Sequence, residues 1–200
     1  KWRSSGNICI LDSNRSLGSL KRALPNWSDY FDYLILDGGA KIMNHEQVLL
    51  HSNTLSHSTA TELLDILHRN PVQPEVKYYN LDAEDYGPTP STDITKIYFH
   101  FTNQADSDNF QAKISHLDIN ILSWQHSPQD FCIEITPRVT NKANALHKLL
   151  RTINLQDEII TVGDNTNDYE MITEFNGYAI TSSRIATLYP NLPTIPSVAT

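Results

Sequence analysis

Asp164 and Asp168 stand four residues apart in the segment ITVGDNTNDYEMI, residues 160 to 172, directly behind a short apolar run. Two carboxylates at the carboxyl end of a strand suit Mg2+, which keeps several waters and takes one or two protein carboxylates plus phosphate oxygens. Asp and Asn also favour Asx-turns and helix caps, so a turn without a metal accounts for the same residues, and on the residues alone both readings stand. An EF-hand loop is excluded: counted from Asp164, the sixth position is Tyr169 rather than Gly and the twelfth is Phe175 rather than Glu. Two further groups suggest an anion. Lys142 lies at the head of the helical segment NKANAL just before the apolar run, and Ser13, Asn14 and Arg15 follow the strand-like ILD. A hydroxyl, backbone N–H groups at a helix N-terminus and a cation make an anion cradle. The plain alternatives are a solvated helix lysine and a simple serine N-cap.

The elements that must position these residues alternate between strand and helix, which favours a parallel α/β sheet. GNICILD reads as a strand, RSLGSLKRALPNW as a helix ended by Pro25, and YFDYLILDGGAKIM as a strand, a Gly-Gly turn and the start of a hairpin. The helix STATELLDILHRN is marked by a Thr59 to Glu62 capping-box spacing. Residues 71 to 93 hold four of the ten prolines and an acidic group at Asp82, Glu84 and Asp85, and read as solvated loop around one strand, EVKYYN. ITKIYFHF places Ile97, Phe99 and Phe101 on one face with the period of a half-buried antiparallel strand. A helix at SDNFQAKISHL and strands at INILSW and DFCIEIT complete a middle block, 46 to 136, that reads as a small sheet of its own. After Pro137 the rhythm returns to helix NKANALHKLLRTINL, buried strand 159 to 162, helix NDYEMITEF, strand NGYAI and short helix SRIATLYP. In this reading Asn167 and Glu170 form the cap pair of the helix after the two acids.

Composition narrows the partners. The chain has 200 residues, 15 Lys and Arg against 23 Asp and Glu, a net charge of −8 and a mean hydropathy of −0.38. Without a basic stripe, a nucleic-acid or anionic-membrane surface is not expected. No apolar stretch approaches the roughly 20 residues of a membrane span. Cys9 and Cys132 both sit in apolar runs and read as reduced, buried thiols, which fits a cytoplasmic location. The eight histidines show no ligand-like grouping. Tyr78, Tyr79 and Tyr86 read either as packing or as contacts to a substrate.

The motifs together resemble the haloacid dehalogenase superfamily, and within it the Cof-type, sugar-phosphatase-like branch with a large C2-type cap. SNR at Ser13 to Arg15 is similar to the family's second motif, TGR; GGA at Gly38 to Ala40 to its NGA turn; Lys142 in NKANAL to its third motif. GDNTND, with Asp164, Asn167 and Asp168, is its fourth motif, GDxxND. The resemblance implies a Rossmann-like parallel-sheet core, residues 1–45 and 137–200, with an inserted α+β cap, 46–136. It implies Mg2+-dependent hydrolysis of a small phosphorylated metabolite, a sugar phosphate, through an aspartyl-phosphate, with the cap selecting the substrate. It assigns Ser13 and Lys142 to catalysis, Asn14, Arg15 and Asn167 to substrate binding, and Asp164 and Asp168 to the metal.

One departure is large. The family's first motif, DxDxT, which carries the nucleophile, should lie well upstream of the second, yet only twelve residues precede Ser13. Asp12 is a poor substitute, because its +2 residue is Asn14 rather than an acid. The expectation is therefore an upstream segment of the same protein that completes the sheet and supplies the nucleophile. The alternative is a catalytically inactive binding or regulatory module that has lost it.

Overall fold

Alternating apolar residues build the best-buried part of the molecule. In β7 (Ile94–Phe101), Ile97, Phe99 and Phe101 point one way, and Ile133 and Ile135 of β9 (Asp130–Pro137) join them in the antiparallel register Ile97 to Ile135 and Phe99 to Ile133. This face packs on α2 (His57–His68) through Leu63 and Leu67, and on α3 (Gln104–Ile114) through Phe110 and Ile114. Phe110 has no exposed surface, and its ring centroid lies 4.8 Å from that of Phe99. Deleting such a side chain costs about 3–5 kcal/mol.

This is a computed structural model that describes residues 3–197. The chain divides into two compact units, Lys1–Thr140 and Asn141–Thr200. The first unit holds two sheets. One begins with β1 (Ile10–Asp12), which pairs in parallel with β2 (Tyr33–Leu36) after the helix α1 (Leu17–Ala23). β2 continues as an antiparallel hairpin with β3 (Lys41–Asn44), followed by β4 (Leu49–Ser52), in the order β1-β2-β3-β4. The turn between β2 and β3 contains the expected Gly-Gly and takes in the residue before it: Asp37, Gly38 and Gly39 all have positive φ, at 53°, 70° and 106°. Glycine tolerates that region freely and Asp better than most residues. The second sheet contains β5 (Glu75–Asn80), β6 (Tyr86–Gly87), β7, β8 (Ile119–Ser127) and β9, ordered β6-β5-β7-β9-β8 and antiparallel throughout.

In the second unit, α4 (Lys142–Thr152) precedes the parallel sheet of β10 (Val162–Gly163), β11 (Tyr178–Ile180) and β12 (Thr194–Ile195), with α5 (Tyr169–Glu174) and α6 (Arg184–Leu188) as crossovers. The architecture is α/β with parallel strands, as expected. Among the described residues, β1 and β10 are each paired along one side only.

Several expectations need correction. The cap of α2 is Ser56, whose hydroxyl accepts from the Thr59 N–H at 3.1 Å; Thr59 already lies in the first turn, so the Thr59 to Glu62 spacing is not the cap. The strand expected over 159–162 pairs only at Val162 and Gly163, and Ile160, ahead of the paired residues, is 54% exposed. The acidic loop is not simply solvated. Glu84 bonds Lys21 at 2.6 Å, and Asp85 accepts from Ser16 Oγ at 2.8 Å and pairs with Arg22 at 2.6 Å, fastening the loop to α1. Gly18 permits this approach: its N–H donates to the Glu84 carbonyl at 2.6 Å, and a Cβ there would sit 3.1 Å from that oxygen. Tyr78 is core, whereas Tyr79 and Tyr86 pair their rings at 5.7 Å. Both cysteines are free thiols, Cys132 buried and Cys9 partly exposed.

Candidate active site

In the second unit the fourth-motif loop is organised around one carboxylate. Asp168 is 2% exposed, and its Oδ2 accepts the backbone N–H groups of Asp164 at 2.9 Å and Asn165 at 3.0 Å. Its Oδ1 accepts from Lys142 Nζ at 2.5 Å. Lys142 reaches it because it is the first residue of α4, whose N-cap Asn141 accepts from the Asn144 N–H, and because burial of Ala143, Leu146, Leu149 and Leu150 fixes the face that α4 presents. Gly163 makes room: a Cβ there would collide with the Asp168 side chain, meeting its Cγ at 2.7 Å.

The cap of this segment is therefore Asn165 with Asp168, a capping box, rather than the Asn167 and Glu170 pair expected. The reason is physical: the turn tightens into a 3-10 helix over Thr166–Asp168 before α5 begins, so the cap falls two residues earlier. Asp164 and Asp168, although four apart, are in unlike environments. Asp168 is buried with a protein donor on each oxygen, while Asp164 is exposed. Asn167 is half-buried beside them in the sequence.

The residues fit a hard cation of limited demand. Among the described residues no group of three or more His, Cys, Asp or Glu could hold a metal by itself. Mg2+ does not need such a cage, since one carboxylate with waters and phosphate oxygens suffices. Asp164 is the carboxylate whose exposure leaves it open to that role.

In the first unit, Ser13, Asn14 and Arg15 form the loop between β1 and α1, and its three carbonyls are all engaged. Ser13 O accepts from Gly38 N at 3.2 Å, Arg15 O from Asp37 N at 3.0 Å, and Asn14 O from Lys96 Nζ at 2.7 Å. Ser13 Oγ accepts from Arg15 N at 3.2 Å, a serine turn, and Ser16 is the N-cap of α1. Arg15 is exposed and lies along α1, its Nη1 3.1 Å from Ser19 Oγ. Asp12 ends β1 in parallel register with Ile35.

Sequence reasoning missed the charges beneath this loop. Lys96 is 1% exposed and Glu134 9%; they pair at 2.9 Å, and Glu134 Oε2 accepts from Asn14 Nδ2 at 3.1 Å. Lys96 Nζ also lies 4.1 Å from the centroid of the Tyr79 ring. Burial raises the Tyr79 hydroxyl pKa, with further upward push from Glu134, Asp37 and Asp85, so that ring is a neutral phenol. Beside them Asp37, fully buried, lies 3.1 Å from the Thr95 hydroxyl and 3.5 Å from Lys41 Nζ; Lys41 also donates to the carbonyls of Asn80 and Ala83. Strand alternation gave no signal for these charges, since it places Lys96 on the face opposite Ile97, where a lysine ordinarily meets solvent.

The sequence model of the haloacid dehalogenase-like hydrolases matches residues 73–185, more than half of the chain. The chain belongs to that family. Its fold is shared with solved members. A haloacid dehalogenase-like hydrolase from B. subtilis superposes with a TM-score of 0.75 at 15% identity, covering 96% of this chain and 83% of that one. One from Bacteroides thetaiotaomicron gives 0.75 at 17%, covering 96% and 82%. A sugar phosphatase of HAD subclass IIB gives 0.70 at 14%, covering 96% and 81%. At these identities the likeness concerns the fold alone. No curated protein sequence matches the chain. As a haloacid dehalogenase-like hydrolase, the chain carries Lys142, Asp164, Asn167 and Asp168 within the matched span, whereas Ser13 to Arg15 precede it. Among the described residues no helix is long and apolar enough to cross a membrane.

Proposed function

We propose that this hydrolase is a Mg2+-dependent phosphatase of a small phosphorylated metabolite, a sugar phosphate, working in the cytoplasm without a nucleic-acid or membrane partner. In this reading residues 1–45 and 137–200 form the core and 46–136 the cap. The observation that carries it is the buried Lys142 and Asp168 pair, with the loop amides of Asp164 and Asn165 gathered on the same carboxylate. Such an arrangement holds one ammonium and one exposed carboxylate, Asp164, at fixed positions for a phosphate and its cation.

Each residue then has a defined task. Asp168 aims Lys142, and the ammonium neutralises phosphate oxygens as negative charge builds. Asp164 and Asp168 would hold the Mg2+ directly or through water, with Asp168 also supporting the loop that presents Asp164. When bound, Mg2+ supplies Lewis-acid neutralisation of phosphate oxygens. Ser13 donates its hydroxyl to the transferring phosphoryl group, while Asn14, Arg15 and Asn167 hold the substrate. The nucleophile is an aspartate on an upstream segment that adds to an open strand edge; among the described residues β1 and β10 each have one. Its carboxylate displaces the substrate alcohol to give an aspartyl-phosphate, which water then hydrolyses.

The test is hydrolysis of an aryl phosphate by the protein expressed from its natural gene, with and without Mg2+. Asp168→Asn should remove most of the rate, and Asp164→Asn should raise the Mg2+ concentration needed for half-maximal rate. An unchanged rate in Asp168→Asn refutes the site assignment. Failure of the unmutated protein to hydrolyse any phosphate ester, together with phosphate binding, would favour the inactive module instead.

A further inference from the structure

The loop Ser13 to Arg15 belongs to the β1-β2-β3-β4 sheet, yet two of the groups that fix it come from the five-stranded sheet. Lys96 on β7 and Glu134 on β9 lie on the face opposite the Ile97, Phe99 and Ile135 core. They are nevertheless buried, because the Asn14 loop covers them. Lys96 Nζ donates to the Asn14 carbonyl at 2.7 Å and to Glu134 Oε1 at 2.9 Å; the second carboxylate oxygen of Glu134 takes the Asn14 side-chain amide at 3.1 Å. Both the backbone and the side chain of Asn14 are thus held by one ion pair from the other sheet. The flanking carbonyls of Ser13 and Arg15 are held by the Asp37–Gly38 turn. With those oxygens drawn inward, the direction in which the loop presents Ser13 depends on Asn14 staying where the pair keeps it.

We propose that Lys96 and Glu134 are positioning residues for the phosphate-binding loop: they set the placement of Ser13 through Asn14 and make the middle sheet part of the catalytic apparatus as well as the substrate-selecting one. This rests on the phosphatase reading of Ser13. An ion pair kept only for stability would have no need of the Asn14 contacts, since the two residues already neutralise each other. The two bonds to Asn14 are directional and address the residue next to the hydroxyl that meets the phosphoryl group. Misplacement of a positioned group by about 1 Å costs on the order of a hundredfold in rate.

The experiment uses the protein expressed from its natural gene and the double variant K96M/E134L. Replacing both members of a buried pair by apolar residues of similar size is tolerated where removing one is not. The first arm is amide exchange followed by NMR. The Asn14 side-chain amide and the backbone amides of 13–16 should lose protection in the double variant, while β7 and β9 keep theirs; an unaltered loop overturns the proposal. The second arm is kinetics on an aryl phosphate: kcat should fall on the order of tenfold to a hundredfold while KM changes little. Glu134→Gln, which still offers Asn14 an acceptor, should retain more of the rate than Glu134→Leu. An unchanged kcat in a double variant that has lost loop protection also overturns the proposal. If the double variant does not fold, the comparison of Glu134→Gln with Glu134→Leu decides by the same two readings. If the loop loosens as expected but the unmutated protein is no phosphatase, the function reading fails and the positioning of the loop stands.

Discussion

Asp168 is the residue on which the fourth-motif loop depends most, and the size of that dependence follows from its partners. Its side chain is 3% exposed and that of Lys142 10%, with 2.5 Å between the charged atoms. Replacing Asp168 by Asn keeps its size and one acceptor. The bonds from Asp164 N and Asn165 N then fall from the roughly 1.5–3 kcal/mol of a charged acceptor toward the ordinary ~1 kcal/mol. Lys142 is left buried without its counter-charge, and breaking one side of such a pair costs about 3–5 kcal/mol. These contributions overlap, so the expected loss is about 3–5 kcal/mol in all, a large share of a typical domain stability of roughly 5–15 kcal/mol. Lys142→Met should cost a similar amount by leaving the carboxylate unpaired. The double variant K142M/D168N should then cost clearly less than the sum, with a coupling energy on the order of 2 kcal/mol.

Urea unfolding followed by far-UV circular dichroism measures all three. Tryptophan fluorescence, which includes the signals of Trp27 and Trp124 in the first unit, serves as the comparison signal. Because the pair is buried, the coupling should persist at high salt, where an exposed pair would be screened. A coupling below ~0.5 kcal/mol, the scatter of independent sites, would refute the claim that Lys142 and Asp168 act as one unit.

Gly163→Ala should cost about 1–3 kcal/mol by overpacking, and it should weaken Mg2+ binding by pushing Asp168 off the Asp164 and Asn165 amides; calorimetric titration of Mg2+ checks it. Burial, partly offset by the Tyr98 hydroxyl, pushes the Cys132 thiol up to about 11. Alkylation by iodoacetamide at about pH 8, near the ordinary thiol range, should therefore label Cys9 well before Cys132, and equal rates would contradict the burial of Cys132. Asp85 is pushed upward by burial, but the stronger combined pull of Arg22, Ser16 and the Tyr86 N–H holds its carboxyl below the ordinary value. Its contribution to stability is present above that ordinary value and lost as pH falls through the lowered one, so Asp85→Asn should flatten the acid limb of a melting-temperature profile.

What could be read from the sequence was whatever leaves a periodic or local mark. Alternation marked β7 and β9, helical spacing marked α2, α3 and α4, and Gly38-Gly39 marked the turn between β2 and β3. The caps were misplaced at two helices for one reason: several nearby residues, Ser56, Ser58 and Thr59 in one and Asn165 to Asp168 in the other, have side chains able to cap, and choosing among them depends on how tightly the first turn winds. β6 and β12 left no mark because two residues are too few to carry a period.

The candidate site residues divide along the same line. Lys142, Asp164 and Asp168 were visible because they sit in contiguous motifs whose spacing is chemical. Lys96 and Glu134 were not, because 38 residues separate them from each other and 120 separate Glu134 from Asn14. Strand alternation put each on the polar face of its strand, which ordinarily means solvent. Only the tertiary fold says that this face is covered by the Asn14 loop, and covering a lysine demands an anion beside it. That demand explains why the two charges must occur as a pair, and the pair's remaining bonding capacity is what reaches Asn14. A buried charge whose own neutralisation is complete, yet which spends further hydrogen bonds on a neighbouring loop, is therefore a sign of positioning, and it is legible only once the strands have been brought together.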